Sequence, residues 1–486
     1  MGIVLNQSFK NTVITFAAFG IGGVNALFLY TNFLTDEYYG LVTYLLSTAN
    51  LLMPLTAFGV QYSIVKFFSS CTSKLERDKF LSASLLFPLL IALPFGFFGT
   101  IFYEQISNYL SLENAIIKDF TWVIYLVAIA TAYFEIFYAW AKVQMQSVFG
   151  NILKEMFSRI TAMILLILVF LKVIDQVEFI YYLTGAYFLR ALVMLLYALK
   201  LYTPVFTFSL PENYKEVFKY ASFIILAGSA GAILLDIDKF MIPQKEAIAY
   251  AAYYSVGVYI ASLLEAPGRA MAQIVQPITA KALNENNKAE IEKLYKSTSI
   301  NLLLICGLFF LLINLNIDQL YLLIDDKYSQ GVWVVLMISI AKLYTMSIGN
   351  NGDIISNSKY YKILLPYSVA MALAVIILNN WLISLYKMNG AAMSTLLVLL
   401  VFNTIKIGYV KKKFNILPYT TKTIYLLVVL GCLYGLFFFW SFPFHPIVNI
   451  GLKGLLITFC YMAIVYKLNI SSDINTIIDK ITKSNQ

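Results

Sequence analysis

The feature that most constrains the fold is a series of fourteen apolar segments of roughly membrane-spanning length. They lie at 12–34, 41–65, 80–103, 120–141, 157–172, 179–199, 221–240, 249–268, 299–316, 332–350, 363–383, 390–410, 423–442 and 447–466. A spanning helix needs roughly 20 mostly apolar residues, whereas the strands of a membrane barrel are shorter and alternate in polarity. The pattern predicts an all-α integral membrane protein with about fourteen transmembrane helices.

Composition supports the same class. The 486 residues are 60% hydrophobic and 13% charged, whereas soluble domains contain roughly 45–50% apolar and about 25% charged residues. A soluble enzyme is therefore excluded. The four cysteines are far apart and show no CxxC spacing, so the sequence predicts neither a disulfide framework nor a metal site.

The distribution of lysine and arginine predicts the orientation. With the N-terminus inside, 26 of the 35 basic residues fall on the cytoplasmic side, 7 fall outside, and Arg190 and Lys342 lie within spans. Short cytoplasmic loops are enriched in Lys and Arg, so both termini are expected to be cytoplasmic. The net charge of +9 then reflects topology, and no nucleic-acid partner is expected.

A weak internal repeat predicts two lobes. Gly20 and Gly23 recur as Gly228 and Gly231, 208 positions later. Four residues in or just before the second span recur 209 positions later: Glu37, Tyr44, Ala57 and Gly59 correspond to Glu246, Tyr253, Ala266 and Gly268. Single identities of this kind also arise by chance. Internal repeats of helices are nevertheless a common plan for transporters. We predict two pseudo-symmetric six-helix lobes, 1–200 and 201–413, followed by two further helices and a cytoplasmic tail in 414–486.

Several segments, in this order, carry a resemblance to a known family. They are "TNFLTDEYYGLVTYLLSTANLLMPLTAFGVQYSIVKFF" (31–68), "LLDIDKFMI" (234–242), "APGRAMAQIVQPITAKALNENNKAEIEKL" (266–294), "LLIDDKYSQG" (322–331) and "NGAAMSTLL" (389–397). Together they resemble bacterial polysaccharide and O-antigen flippases. These belong to the multidrug, oligosaccharidyl-lipid and polysaccharide exporter superfamily.

The resemblance implies a two-lobed protein of the bacterial inner membrane. It would flip an undecaprenyl-pyrophosphate-linked oligosaccharide outward by alternating access, within membrane lipid and alongside a polysaccharide polymerase and chain-length machinery. No cofactor is implied, and coupling to protons or sodium is left open. The lipid II flippases of the superfamily carry arginines in their first two helices, but this chain has no Lys or Arg between Lys10 and Lys66. A glycan repeat unit is therefore a better expected substrate than a peptidoglycan precursor.

Three charged residues within spans are the main candidates for the substrate cavity. Glu135, Arg190 and Lys342 have no opposite charge within four residues on their own helix, and a charge at the bilayer centre costs roughly 2.5–3.5 kcal/mol. One interpretation is that Arg190 and Lys342 attract the pyrophosphate, while Glu135 restrains Lys342 or takes up a coupling proton. The other is that they form structural ion pairs between helices.

The remaining candidates have simpler alternatives. Two pairs, Asp236 with Lys239 and Glu265 with Arg269, have the spacing of ion pairs on one helix face and could instead serve gating or coupling. Asp238 is a further candidate for gating or coupling. It completes a DxD pattern with Asp236, but its predicted external position does not suit a sugar-nucleotide metal site. Asn25 and Asn50 could bind sugar hydroxyls or bond between helices.

Two other functions remain open from the sequence. A drug exporter of the same superfamily would favour acidic residues in its cavity. A membrane-embedded glycan polymerase or ligase would present a large external loop, whereas the longest one here, about 104–119, is short. No catalytic residues are predicted.

Overall fold

Every regular element in the described part of the chain is a helix. A computed structural model describes residues 2–471 and 475, with the backbone alone for residues 2–6, 8 and 9. The first ten α-helices are α1 Gly2–Val24, α2 Tyr30–Phe33, α3 Asp36–Ala57, α4 Val60–Phe67, α5 Lys74–Ile101, α6 Tyr103–Leu110, α7 Ile116–Val143, α8 Val148–Ile152, α9 Ser158–Phe170 and α10 Gln176–Leu201.

The next ten are α11 Tyr214–Met241, α12 Ala249–Ser262, α13 Ala266–Asn284, α14 Lys288–Asn314, α15 Ile317–Ile324, α16 Val332–Ser347, α17 Asn351–Ser356, α18 Leu364–Phe414, α19 Thr421–Phe438 and α20 Pro446–Lys467. Residues 472–474 and 476–486, which hold most of the predicted cytoplasmic tail, lie outside the described residues.

The predicted spans are confirmed as helices. Eleven helical segments are long and apolar enough to cross a membrane, and one of them, the 54-residue segment Tyr361–Phe414, holds two predicted spans. The predicted spans 157–172 and 249–268 fall on α9 and α12, which are shorter. Lys387 separates the two spans of α18, because its backbone (φ 54°, ψ −135°) is not helical.

Local capping groups fix several helix starts. Asp175 precedes α10, where its side chain accepts a 2.7 Å hydrogen bond from the Glu178 N–H while Glu178 accepts a 2.9 Å bond from the Asp175 N–H. Ser73 accepts a bond from the Glu76 N–H at the start of α5. These groups satisfy backbone donors that have no partner within the helix.

The helices form two compact units. The first comprises Met1–Ser255 and Ser368–Met388, and the second Val256–Tyr367 and Asn389–Gln486. These units are defined by contacts between residues, whereas the lobes 1–200 and 201–413 are predicted from a sequence repeat. The units therefore do not test the lobes, which stay a prediction.

Each unit has its own apolar core. In the first, Phe80, Phe134, Trp140 and Met194 are buried between α5, α7 and α10. In the second, α14, α19 and α20 pack together, and the buried Tyr461 hydroxyl donates to the Leu304 carbonyl at 2.8 Å.

In the first unit, the predicted external ends of several helices are tied together. The Asn114 amide donates to the carbonyls of Pro243 (2.7 Å) and Glu246 (2.9 Å), and its oxygen accepts a bond from the Ile248 N–H at 2.8 Å. Gly40 of α3 approaches the Ile248 carbonyl so closely that a Cβ atom would not fit. These contacts join α3, the α6–α7 connection and the turn after α11.

Candidate substrate-binding residues

Arg190 is a buried cation that forms no ion pair with any carboxylate of the described residues. It lies on α10, only 6% exposed, with its guanidinium carbon 4.3 Å from the centre of the Phe134 ring and 4.7 Å from that of Tyr187. Its one hydrogen bond is a long one, 3.5 Å from Nη2 to the Thr131 hydroxyl, and its Nε has no partner among the described residues. The aromatic rings stabilise the charge but leave most of its donors unused.

Glu135 has a different partner from the one expected. Its carboxylate lies 2.7 Å from the Lys154 ammonium, in the π-helical turn Leu153–Phe157. The expectation that Glu135 restrains Lys342 is therefore wrong. Glu135 also interacts electrostatically with Arg190, but over a longer distance than its ion pair with Lys154. Glu135 therefore lies near Arg190 without forming a direct ion pair with it.

Lys342 forms an ion pair with a residue outside its own helix, as the second of the two interpretations expected, although the partner is Glu265 and not Glu135. Its ammonium on α16 is bonded to Glu265, whose other oxygen lies 3.2 Å from Arg269 Nη2. The Lys342 side chain is 17% exposed and that of Arg269 is 50% exposed. The three residues carry a net charge of +1. The i, i+4 pair of Glu265 and Arg269 is confirmed.

The pair of Asp236 and Lys239 on α11 is also confirmed, with 3.1 Å between carboxylate and ammonium. Asn50 of α3 joins it by donating to the other Asp236 oxygen at 3.2 Å. Asp238, two residues further on, faces other helices. Its buried carboxylate accepts a 2.6 Å bond from the Asn379 amide and a bond from the Tyr254 hydroxyl.

Asn25 bonds between helices within the first unit. It begins the π-helical turn Asn25–Leu29, is buried, and donates from Nδ2 to the Arg159 carbonyl at 2.7 Å. Its Oδ1 has no partner in the described part of the chain. The Nδ2 atom thus bonds between helices, which is one of the two roles expected for Asn25. To bind a sugar hydroxyl, Asn25 would have to use Oδ1.

The structure therefore brings the candidates together in three groups. Arg190 lies beside the Glu135–Lys154 pair, Asn50 joins Asp236 and Lys239, and Glu265 joins Arg269 and Lys342. Asp238 and Asn25 lie outside these groups and have partners of their own. Sequence reasoning missed several partners of the candidates. Tyr187, three residues before Arg190, could have been found from helical spacing. The others are distant in sequence and gave no signal: Thr131, Phe134, Lys154, Tyr254 and Asn379.

A cavity in the first unit is a separate, apolar feature. It measures about 860 Å³ and lies between α3, α5, α7 and α11, with Leu93, Phe97, Tyr125 and Phe240 among its lining residues. No charged side chain lines it. The cavity therefore suits a hydrocarbon and not the charged part of a ligand.

Comparison with known proteins places the chain in a family. A family model described as "polysaccharide biosynthesis protein" matches residues 4–278, more than half of the chain. No curated protein sequence was found to match.

Among solved structures, "Lipid II flippase MurJ, inward closed conformation" is 16% identical, with a TM-score of 0.73 over 95% of this chain and 99% of that one. An inward-facing multidrug resistance MATE family transporter of the MOP superfamily is 12% identical, with a TM-score of 0.60 over 83% and 94%. A MATE structure in complex with MaL6 is 11% identical, with a TM-score of 0.53 over 84% and 96%.

Identities of this size show likeness of fold, whereas the family match covers more than half of the sequence itself. The chain therefore belongs to the polysaccharide biosynthesis protein family and has the fold of the multidrug, oligosaccharidyl-lipid and polysaccharide exporter (MOP) superfamily of membrane transporters.

Proposed function

We propose that the protein flips undecaprenyl-pyrophosphate-linked oligosaccharide repeat units from the cytoplasmic to the outer leaflet of the bacterial inner membrane by alternating access. The repeat units would serve O-antigen, capsule or exopolysaccharide assembly. Membership of a polysaccharide biosynthesis family and the fold shared with a lipid II flippase support this function. The observation that carries it is Arg190, a buried guanidinium without an acidic partner among the described residues.

Arg190 suits a pyrophosphate for physical reasons. A buried cation without a counterion is costly, so an anionic ligand that pairs with it lowers that cost. The planar guanidinium can donate two parallel hydrogen bonds to phosphate oxygens. Packing on Phe134 and Tyr187 fixes its plane before the ligand arrives, which reduces the entropy lost on binding.

The group of Glu265, Arg269 and Lys342 supplies a second, weaker positive site in the second unit. Its net charge is +1, but Glu265 holds both cations, so an anion has to compete with the carboxylate. In this proposal Glu265 has the restraining role that the sequence suggested for Glu135.

Asp238 is the coupling candidate. Its buried carboxylate on α11 is bonded to Asn379 and Tyr254, so a change in its charge would alter contacts with two other helices. The coupled ion would be a proton or sodium, and no other cofactor is required. Both termini would be cytoplasmic, and a polysaccharide polymerase with chain-length machinery would receive the product.

The test uses a deletion strain complemented with the wild-type or R190Q chain. Lipid-linked oligosaccharide and surface polysaccharide are measured in parallel. We expect the deletion and R190Q strains to accumulate complete repeat units on lipid facing the cytoplasm and to lose surface glycan. Single repeat units that still reach the outer leaflet unpolymerised would identify a polymerase instead. Unchanged surface glycan with new drug sensitivity would identify an exporter.

A further inference from the structure

Arg190 lies in the first unit, and because Lys342 is paired with Glu265, a cation that is at least half-buried and forms no ion pair has to be sought elsewhere among the described residues of the second unit. Lys406 meets this description. It lies within the predicted span 390–410 and inside α18, eight residues before the helix ends at Phe414. That distance is about two helical turns, or roughly 12 Å along the axis.

The surroundings of Lys406 resemble those of Arg190. Its side chain is half-buried, and its ammonium lies 4.9 Å from the centre of the Tyr367 ring. Within the described residues it makes no ion pair or hydrogen bond. A lysine in this setting holds its charge against an aromatic face while its three donors stay unused.

The surroundings add a second unused donor. The Tyr367 hydroxyl is buried and has no hydrogen-bond partner in the part of the chain that the structure describes. The neighbouring hydroxyls are already paired, since Tyr344 and Thr404 bond to each other at 2.7 Å and Asn403 donates to Thr345 at 2.9 Å. The Lys406 ammonium and the Tyr367 hydroxyl are therefore two neighbouring donors without a hydrogen-bond acceptor among the described residues.

The acceptor that fits these donors is an oxyanion. A buried phenol without a partner is destabilised by roughly 1–3 kcal/mol, and a bound anion would relieve this while neutralising the lysine. A phosphoryl group offers several acceptor oxygens, more than a carboxylate, and is present both in the proposed substrate and in phospholipid headgroups. Neighbouring Phe402 packs edge-on against Tyr367 with ring centres 5.2 Å apart. This contact holds the Tyr367 ring in position.

We propose that Lys406 and Tyr367 form a second phosphoryl-binding site, located in the second unit and similar in chemistry to the site at Arg190 in the first. This inference rests on the proposed function, because that function makes a pyrophosphate the expected ligand. It also follows the predicted repeat, in which Arg190 and Lys406 lie on the last spans of the two lobes.

Binding of farnesyl pyrophosphate to the full-length protein in phosphatidylcholine nanodiscs tests this site. We expect K406Q to raise the Kd about tenfold, the loss that corresponds to about 1.4 kcal/mol. K406R should stay within about threefold of wild type, because a charge-assisted hydrogen bond remains possible. The matched control is K412Q, which removes an exposed lysine from the end of the same helix and should change nothing.

A second arm separates the two sources of phosphate. Cross-linking to photoactivatable phosphatidylglycerol is compared in wild type, K406Q and Y367F. Loss of cross-linking in K406Q with unchanged farnesyl pyrophosphate binding would assign the site to a phospholipid headgroup. The reverse result would assign it to the lipid-linked pyrophosphate. Y367F keeps the ring and removes one donor, so we expect about a threefold loss of whichever ligand binds, even if K406Q fails to fold.

The proposal is overturned if K406Q and Y367F match K412Q in both arms. R190Q measured in the same nanodiscs distinguishes this failure from that of the proposed function. If R190Q loses farnesyl pyrophosphate binding while K406Q and Y367F match K412Q in both arms, the proposed function stands and the second site does not exist. If R190Q also binds farnesyl pyrophosphate like wild type in that case, both proposals fail.

Discussion

Arg190 and Lys342 look alike in the sequence, yet their surroundings in the two units differ. Each is a lone basic residue within an apolar span. In the structure Arg190 lies on two aromatic rings without a carboxylate, whereas Lys342 is bonded to Glu265. A buried charge must be compensated. A carboxylate does so by occupying the hydrogen-bond donors of the cation, whereas an aromatic ring stabilises the charge and leaves those donors free for an anionic ligand. The availability of a cation is thus decided by its neighbours on other helices.

Removing Arg190 should have the largest effect. R190Q loses two charge-assisted hydrogen bonds to phosphate, so the transport rate in proteoliposomes is expected to fall about 100-fold. R159Q is the matched control, because Arg159 already pairs with Glu155 at 2.8 Å. If both variants slow transport equally, Arg190 has no special role.

Removing Glu265 should make the second unit resemble the first. E265Q releases Lys342 and Arg269, so farnesyl pyrophosphate is expected to bind about three- to tenfold more tightly, by up to about 1.4 kcal/mol. The unpaired cations should also lower the melting temperature. The double variant E265Q/K342Q should return both properties toward wild type. Unchanged affinity in E265Q would show that Glu265 does not restrain these cations.

Removing Lys154 should make Arg190 resemble Lys342. In K154Q, Glu135 loses its partner beside Arg190 and becomes a competing counterion. We expect about a threefold weaker affinity for farnesyl pyrophosphate, because the Lys154 side chain is 43% exposed and such pairs are worth at most about 1 kcal/mol. The double variant E135Q/K154Q should bind farnesyl pyrophosphate with wild-type affinity when titrated with it. An affinity as weak as that of K154Q would contradict this explanation.

Features set by local spacing could be predicted from the sequence. All fourteen apolar segments fall on helices, although 41–65 is divided between α3 and α4 by the left-handed residues Phe58 and Gly59. The pairs Asp236–Lys239 and Glu265–Arg269 form as their i, i+3 and i, i+4 spacing predicts. Periodicity and helical neighbours are properties of a short stretch of chain.

Contacts between helices could not be predicted. Lys342 and Glu265 are 77 residues apart, and only the packing of α16 against the turn before α13 brings them together. The predicted end of the twelfth span is too early for another reason. Hydropathy ends that span at residue 410, before the cluster Lys411–Lys413, whereas α18 continues to Phe414.

Movement of a lipid-linked saccharide between leaflets tests the central claim most directly. Purified protein is reconstituted into vesicles with undecaprenyl-pyrophosphate linked to a fluorescently labelled sugar, and a membrane-impermeant quencher reports the labelled fraction in the outer leaflet over time. Proton and sodium gradients are imposed in separate experiments. We predict rapid exchange between leaflets with the wild-type chain and exchange about 100-fold slower with R190Q. Exchange no faster than in protein-free vesicles under either gradient would contradict the account.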